Sequence, residues 1–104
     1  MKGDSLTART DLENVFQHVR ETALLESTQA VLEWDERTGL PSQSGAYRAE
    51  QITQLSGLIH HRKIDDQFAQ RLTELHVGLA SMDLSLAESS SVRLLYRDYE
   101  RNRR

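Results

Sequence analysis

The sequence predicts an all-α fold of about four helices, arranged as antiparallel helical hairpins or an irregular bundle. Three observations lead there. Apolar residues recur three and four positions apart along most of the chain, the period of a one-sided helix. Nowhere does apolar/polar alternation coincide with β-branched enrichment, so no strand is signalled. The 104 residues include one proline and five glycines, which leaves few places for a helix to break. No internal repeat of fixed period is present.

Residues 1–9 are polar and read as a flexible leader to a single helical domain over 10–104. Thr10 reads as the N-cap of the first helix, with Glu13 three positions on completing a capping box. Leu12, Val15, Phe16, Val19 and Ala23 then keep to one face. The stripe drifts to Leu24, Leu25, Thr28, Val31 and Leu32. That drift implies either a bend near Arg20–Thr22 or a helix whose neighbours change along its length. Thr38-Gly39-Leu40-Pro41 ends the helix, because glycine accepts the left-handed cap and proline forbids continuation.

After a short loop over Ser42–Gly45, a second helix is expected from about Ser44 through Ile52, Leu55, Leu58 and Ile59 to about Arg62. Asp65 reads as the N-cap of a third helix carrying Phe68, Leu72, Leu75 and Leu79 inward, with Gly78 weakening its end. Ser81–Ser85 reads as a connector. Ser89–Ser91 offer caps for a last helix that turns Val92, Leu95, Tyr96 and Tyr99 inward, a pattern that runs to Arg104.

Composition narrows the function. A net charge of −3 gives no reason to expect nucleic acid or an anionic membrane as partner. Arg93, Arg97, Arg101 and Arg104 share a helical stripe, but Asp98 and Glu100 dilute it, and it reads as a solvated or protein-docking face. The absence of cysteine excludes disulfides, thiolate metal sites and a cysteine nucleophile. No apolar run approaches the ~20 residues that span a bilayer, and a cytoplasmic location is the expectation.

No complete catalytic constellation appears. A helical zinc site needs ligands at i and i+4 on one face, yet His18 is followed at that spacing by Thr22, His60 by Ile64 and His76 by Ala80. His61 does reach Asp65, across an expected helix break. Glu33, Asp35 and Glu36 cluster beside Trp34 within one turn, with no second group to divide acid and base roles. Trp34 therefore reads as a core or interface anchor, and Asp35 as a cap accepting from backbone near Thr38. Ser5, Ser44 and Ser89–Ser91 have no histidine partner and read as caps. No metal ligand set and no catalytic residue is expected within this chain.

The stretch Val31-Leu32-Glu33-Trp34-Asp35-Glu36-Arg37-Thr38-Gly39-Leu40-Pro41 nevertheless resembles the "LL-x-W-D-Q-x-T-x-M-P" element of the carboxypeptidase Taq family of zinc metallocarboxypeptidases. The resemblance continues through Gly45, Arg48-Ala49-Glu50-Gln51, Leu55, Leu58 and His60, similar to that family's "RAEQ-x3-L-x2-L-x-H" helix. It returns in Val92-Arg93 and Arg97-Asp98-Tyr99-Glu100-Arg101, like "VR-x3-RDYER". Glu36 stands where the family usually has Gln, and Leu40 where it usually has Met. The resemblance implies the N-terminal part of a much longer all-helical peptidase that removes single residues from peptide C-termini with zinc or another divalent metal. Its HExxH and third Glu ligand have no counterpart here.

That resemblance implies a segment that helps enclose the substrate groove, with Trp34, Asp35 and Arg48 as candidate groove or interface residues. It implies no activity for the segment alone, and a peptide substrate only in the full-length context. The alternative is a free-standing helical module that binds a partner or itself. In either case, apolar faces cut from a larger body form interfaces. Leu24, Leu25, Leu86, Leu94, Leu95 and Tyr96 are the candidates for that surface, facing the remainder of the peptidase or a second copy in a homo-oligomer.

Overall fold

A computed structural model describes the backbone of residues 2–39 and 42–103, with side chains over 9–39 and 45–103. Four α-helices account for the described chain: α1 (Lys2–Arg37), α2 (Ser42–Lys63), α3 (Asp66–Val77) and α4 (Leu86–Asn102), with one 3₁₀ turn at Leu79–Ser81. No strand occurs among the described residues. The fold is all-α, as the apolar spacing predicts.

α1 is longer than expected. Its backbone is already helical from Lys2, so Thr10 lies inside the helix and no capping box starts there. Nothing between Ala8 and Asp11 interrupts a helix, and once nucleated a helix extends at little further cost. The leader expected over 1–9 is thus helical backbone from Lys2, and Met1 lies outside the described residues. Arg9 ties this end down, with its guanidinium 2.7 Å from Glu88 and 3.4 Å from the Asp83 carbonyl. At the other end Thr38 N–H donates to the carbonyls of Trp34 and Asp35, and Gly39 takes φ +94°, the left-handed cap its position predicts. Leu40 and Pro41, the expected stop, lie outside the described residues.

The drift of the α1 stripe has the second of its two explanations. α3 runs antiparallel to the first half of α1, with the Phe68 ring against His18. α2 runs antiparallel to the second half: Arg62 meets Glu21, Lys63 meets Glu26, Gln29 donates to Ser56, and Arg48 meets Asp35. α4 lies alongside the first half, from Arg9–Glu88 up to the groove where Val19 and Thr22 face Leu95 and Tyr99. One long helix therefore belongs to two assemblies, a three-helix body and a two-helix arm.

The core sits in the body. Leu12, Val15, Phe68, Leu72, Leu75 and Val92 form one buried cluster, with Phe16, Val19, Leu79, Met82, Leu84, Leu95, Tyr96 and Tyr99 packed against it. α2 adds Ile59 to the buried residues but no member of that cluster. The described chain spans 60 × 23 × 21 Å with a radius of gyration of 17.6 Å. A compact domain of this length would have about 13 Å, so the helices form a splayed, irregular arrangement and not a closed bundle.

Asp65 caps α3 as expected, its carboxylate accepting from Phe68 N–H at 3.0 Å. α4 departs from expectation: it starts at Leu86, not after Ser89–Ser91. Ser85 Oγ accepts from Glu88 N–H while Glu88 accepts from Ser85 N–H, a complete capping box. Those two bonds satisfy two otherwise orphaned donors, whereas Ser89–Ser91 lie a turn too late and are absorbed into the helix. Ser85→Ala is expected to cost about 1 kcal/mol. The Ser85 N–H, and after it Arg9, hold the Glu88 carboxyl below its ordinary range. A lowered folded-state value contributes stability that is fully present above the ordinary carboxylate range and is lost as pH falls through the lowered, folded-state value. Urea midpoints of the wild type and Glu88→Gln should therefore differ at neutral pH and converge in acid; a gap that is constant with pH would exclude the Glu88 contribution.

Candidate functional site

Of the candidate groove or interface residues, Asp35 and Arg48 meet at the far end of the arm. Trp34 is 63% exposed, so among the described residues it is not a core anchor, one of the two roles expected of it. Arg48 Nη1 lies 3.4 Å from the Asp35 carboxylate, which joins α2 to α1 across the arm. Both groups reach solvent, and such pairs are worth ~0–1 kcal/mol. The capping role expected of the Asp35 side chain falls instead to its backbone: the Asp35 carbonyl accepts from Thr38 N–H at 3.3 Å and Thr38 Oγ1 at 3.1 Å. The carboxylate is occupied by Arg48 because α2 returns close enough to offer a charged donor.

Beside that pair, Thr28 and Leu32 of α1 face Tyr47, Gln51 and Leu55 of α2 across an open groove of about 510 Å³. Tyr47 is mostly exposed, and Gln51 Oε1 is buried there without a hydrogen-bond partner among the described residues.

The six candidates for an association surface divide. Leu24, Leu86 and Leu94 are exposed and Leu25 is half-buried. Leu95 and Tyr96 pack against the core, where the Tyr96 ring lies flat on His76 at 4.0 Å. Those two are core, because α4 rolls them toward α3. Leu24 and Leu86 do not share one patch. Residue 9 of α1 meets the start of α4, which puts Leu24 about 22 Å further along the axis at 1.5 Å per residue.

His18 and His76 serve packing, while His60 and His61 are exposed. His18 Nε2 lies 2.7 Å from the Arg62 carbonyl, with its ring stacked on Phe68 at 4.4 Å. His76 stacks on Tyr96, and the His60 and His61 rings are tilted neighbours 6.4 Å apart. Among the described residues no group of three His, Cys, Asp or Glu side chains is placed to hold a metal ion. The residues present do not fit a metal site, and no chemical step is assigned to one here.

Sequence reasoning missed the junction between arm and body. Thr22 is 6% exposed, a polar side chain buried in an otherwise apolar stripe. It accepts from Arg62 Nε at 2.9 Å and donates to the His18 carbonyl at 2.9 Å. Gln17, and after it Arg62, hold the Glu21 carboxyl below its usual range. A groove of about 410 Å³ opens beside the junction, with Phe68, Leu95 and Val19 on its apolar side and Lys63, Glu26, Asp98 and Arg101 on its polar side. The available signal was Thr22 at the point where the stripe drifts. Deeper in the body, burial and the charge of Glu74 push the Asp11 carboxyl up, against the pull of Arg71.

No described helix is long and apolar enough to cross a membrane. A family model described as carboxypeptidase Taq (M32) metallopeptidase matches residues 14–104. Thermostable carboxypeptidase 1 of Thermus thermophilus is 31% identical over 98 residues, covering 94% of this chain and 19% of that protein. Carboxypeptidase 1 of Bacillus subtilis is 33% identical over 89 residues, covering 86% of this chain and 17% of that protein. The chain thus spans about a fifth of the length of these curated relatives. No solved structure gives a significant match.

Proposed function

The chain belongs to the carboxypeptidase Taq (M32) metallopeptidase family, and from that premise we propose that it is a non-catalytic helical segment whose arm helps enclose the substrate groove of a zinc-dependent carboxypeptidase. The supporting observation is how the arm uses its residues. Two of the three elements that resemble the family lie mainly on the arm, residues 31–37 at the end of α1 and Arg48–His60 on α2, which supply none of the buried core cluster; the third, Val92–Arg101, lies on α4 of the body. Trp34, Tyr47 and Val31 are exposed, and Gln51 Oε1 has no partner among the described residues. Side chains not used to hold this chain together are available to face something else. The occupant proposed here is the remainder of the peptidase, with peptide substrate in the groove it completes. Without that remainder the same apolar residues are open to a second copy of the chain.

By itself the 104-residue chain is proposed to be inactive. It has no HExxH to bind the metal or to activate water. The pure chain, supplied with zinc and a blocked dipeptide, is expected to release no product above blank; robust turnover would overturn the proposal. Trp34→Ala separates the two roles an exposed tryptophan can have. It should leave the stability of this chain within about 0.5 kcal/mol. In a full-length protein continuing in frame to an HExxH, it should lower kcat/KM on the order of tenfold with metal content unchanged. Unchanged kcat/KM there would remove Trp34 from the groove.

A further inference from the structure

We infer that Arg62 is a positioning residue that latches α2 to the three-helix body at Thr22 and so sets the course on which α2 runs back along α1. This does not depend on the peptidase reading. Arg62 sits in the last turn of α2, with only Ile64 and Asp65 between α2 and the start of α3. That is the level at which α1 exchanges one neighbour for the other. An α2 running in another direction would have to part from α1 here.

Arg62 reaches three acceptors on α1. Its Nε donates to Thr22 Oγ1 at 2.9 Å, and its Nη2 donates to the His18 carbonyl at 3.0 Å and to Glu21 Oε1 at 3.0 Å. The planar fork of arginine fits several fixed acceptors at once, which a lysine ammonium does not. In return His18 Nε2 bonds the Arg62 carbonyl at 2.7 Å. That carbonyl lies in the final turn of α2, where carbonyls lack intrahelical partners. His18 meanwhile stacks on Phe68, so α3 is held in the same network. Thr22, buried at the centre, uses its hydroxyl both as donor and as acceptor.

Beyond this junction the polar contacts between the arm helices among the described residues are Lys63–Glu26, Gln29–Ser56 and Arg48–Asp35, all at least partly exposed to solvent. Exposed pairs of this kind hold a geometry weakly. The course of α2 is therefore decided where the Arg62 fork closes on buried Thr22 and the His18 carbonyl.

The chain lacks cysteine, so spin labels can be placed at two chosen sites. Ala46→Cys on the arm and Ser90→Cys on α4 are both exposed positions. Pulsed electron–electron distance measurement should give one narrow distribution between them. Arg62→Met should broaden that distribution and shift its mean by several ångströms while helicity by circular dichroism is retained. Arg62→Lys should broaden it as well, because the charge is kept and the fork is lost. Should Arg62→Met fail to fold, Thr22→Val, which removes only the central hydroxyl, carries the same expectation. A contribution to stability alone would lower the unfolding midpoint and leave the distances in place. An unchanged narrow distribution in Arg62→Met, or in Thr22→Val where the first does not fold, overturns the latch, and a wild-type distribution in Arg62→Lys overturns the fork as its basis.

Discussion

Leu72→Ala is expected to destabilise this chain by about 3 kcal/mol or more, within the ~2–5 kcal/mol range for truncating a buried leucine. Leu72 is fully buried near the middle of α3, with Leu12 and Val15 of α1 and Val92 of α4 in the same cluster. Its replacement removes apolar contact from three helices at once and leaves a space that the short α3 closes poorly. The consequence is large because the core is small. Domains as a class are stable by ~5–15 kcal/mol, and here the buried apolar cluster comprises six residues confined to the body. Urea unfolding followed by far-ultraviolet circular dichroism should show a much lower midpoint with the slope retained. Leu86→Ala is the control: Leu86 is 82% exposed, and its change should lie within about 0.5 kcal/mol. A loss below ~1 kcal/mol for Leu72→Ala would mean that the body is not what holds the molecule together.

Much of the body was legible because its residues obey local rules. Phe68, Leu72 and Leu75 carry one helical face and are buried, and the Asp65 cap forms as its position requires. Gly39 adopts the backbone angle that only glycine takes readily. The errors came where one local signal outweighed another. Thr10 and Glu13 make a plausible cap, but capping residues also occur inside helices, and nothing near them stops α1. Ser85 and Glu88 carry the same pattern and do form a cap, because a connector without helix precedes them and Arg9 arrives from another helix to complete the Glu88 site. Arg62 shows what periodicity cannot report. Its three acceptors lie 40 to 44 positions away in sequence, so their meeting depends on which half of α1 each partner helix chooses. The drift of the stripe showed that a choice was made, and the paired interactions show that it falls at Thr22. At the arm, the residues alone give Trp34 as a core or interface anchor, and its 63% exposure excludes the first, while the Arg48–Asp35 pair joins positions 13 apart that no helical spacing relates.

Phe68→Ala should cost ~3–5 kcal/mol and should also loosen the arm, which makes it the more informative of the two core truncations. Phe68 is 7% exposed and belongs to the cluster that holds Leu72, yet its ring lies flat on His18, interplanar angle 15°, at the edge of the Arg62 network. Removing the ring takes volume from the core and the surface that orients the imidazole. His18 Nε2 is then free to leave the Arg62 carbonyl. Leu72 lies one turn further along α3 and has no hydrogen-bonded part in that network. The two residues therefore predict different coupling to Arg62. In double-mutant cycles Phe68→Ala with Arg62→Met should depart from additivity by ~0.5–3 kcal/mol, as residues of one network do, whereas Leu72→Ala with Arg62→Met should add within about 0.5 kcal/mol. Phe68→Leu refines the comparison, since it restores much of the apolar volume without an aromatic face. It should recover most of the lost stability while the spin-label distances stay broad. Strict additivity in the Phe68 cycle, together with a narrow distance distribution for Phe68→Leu, would show that core and junction are independent and that α2 takes its course from elsewhere along α1.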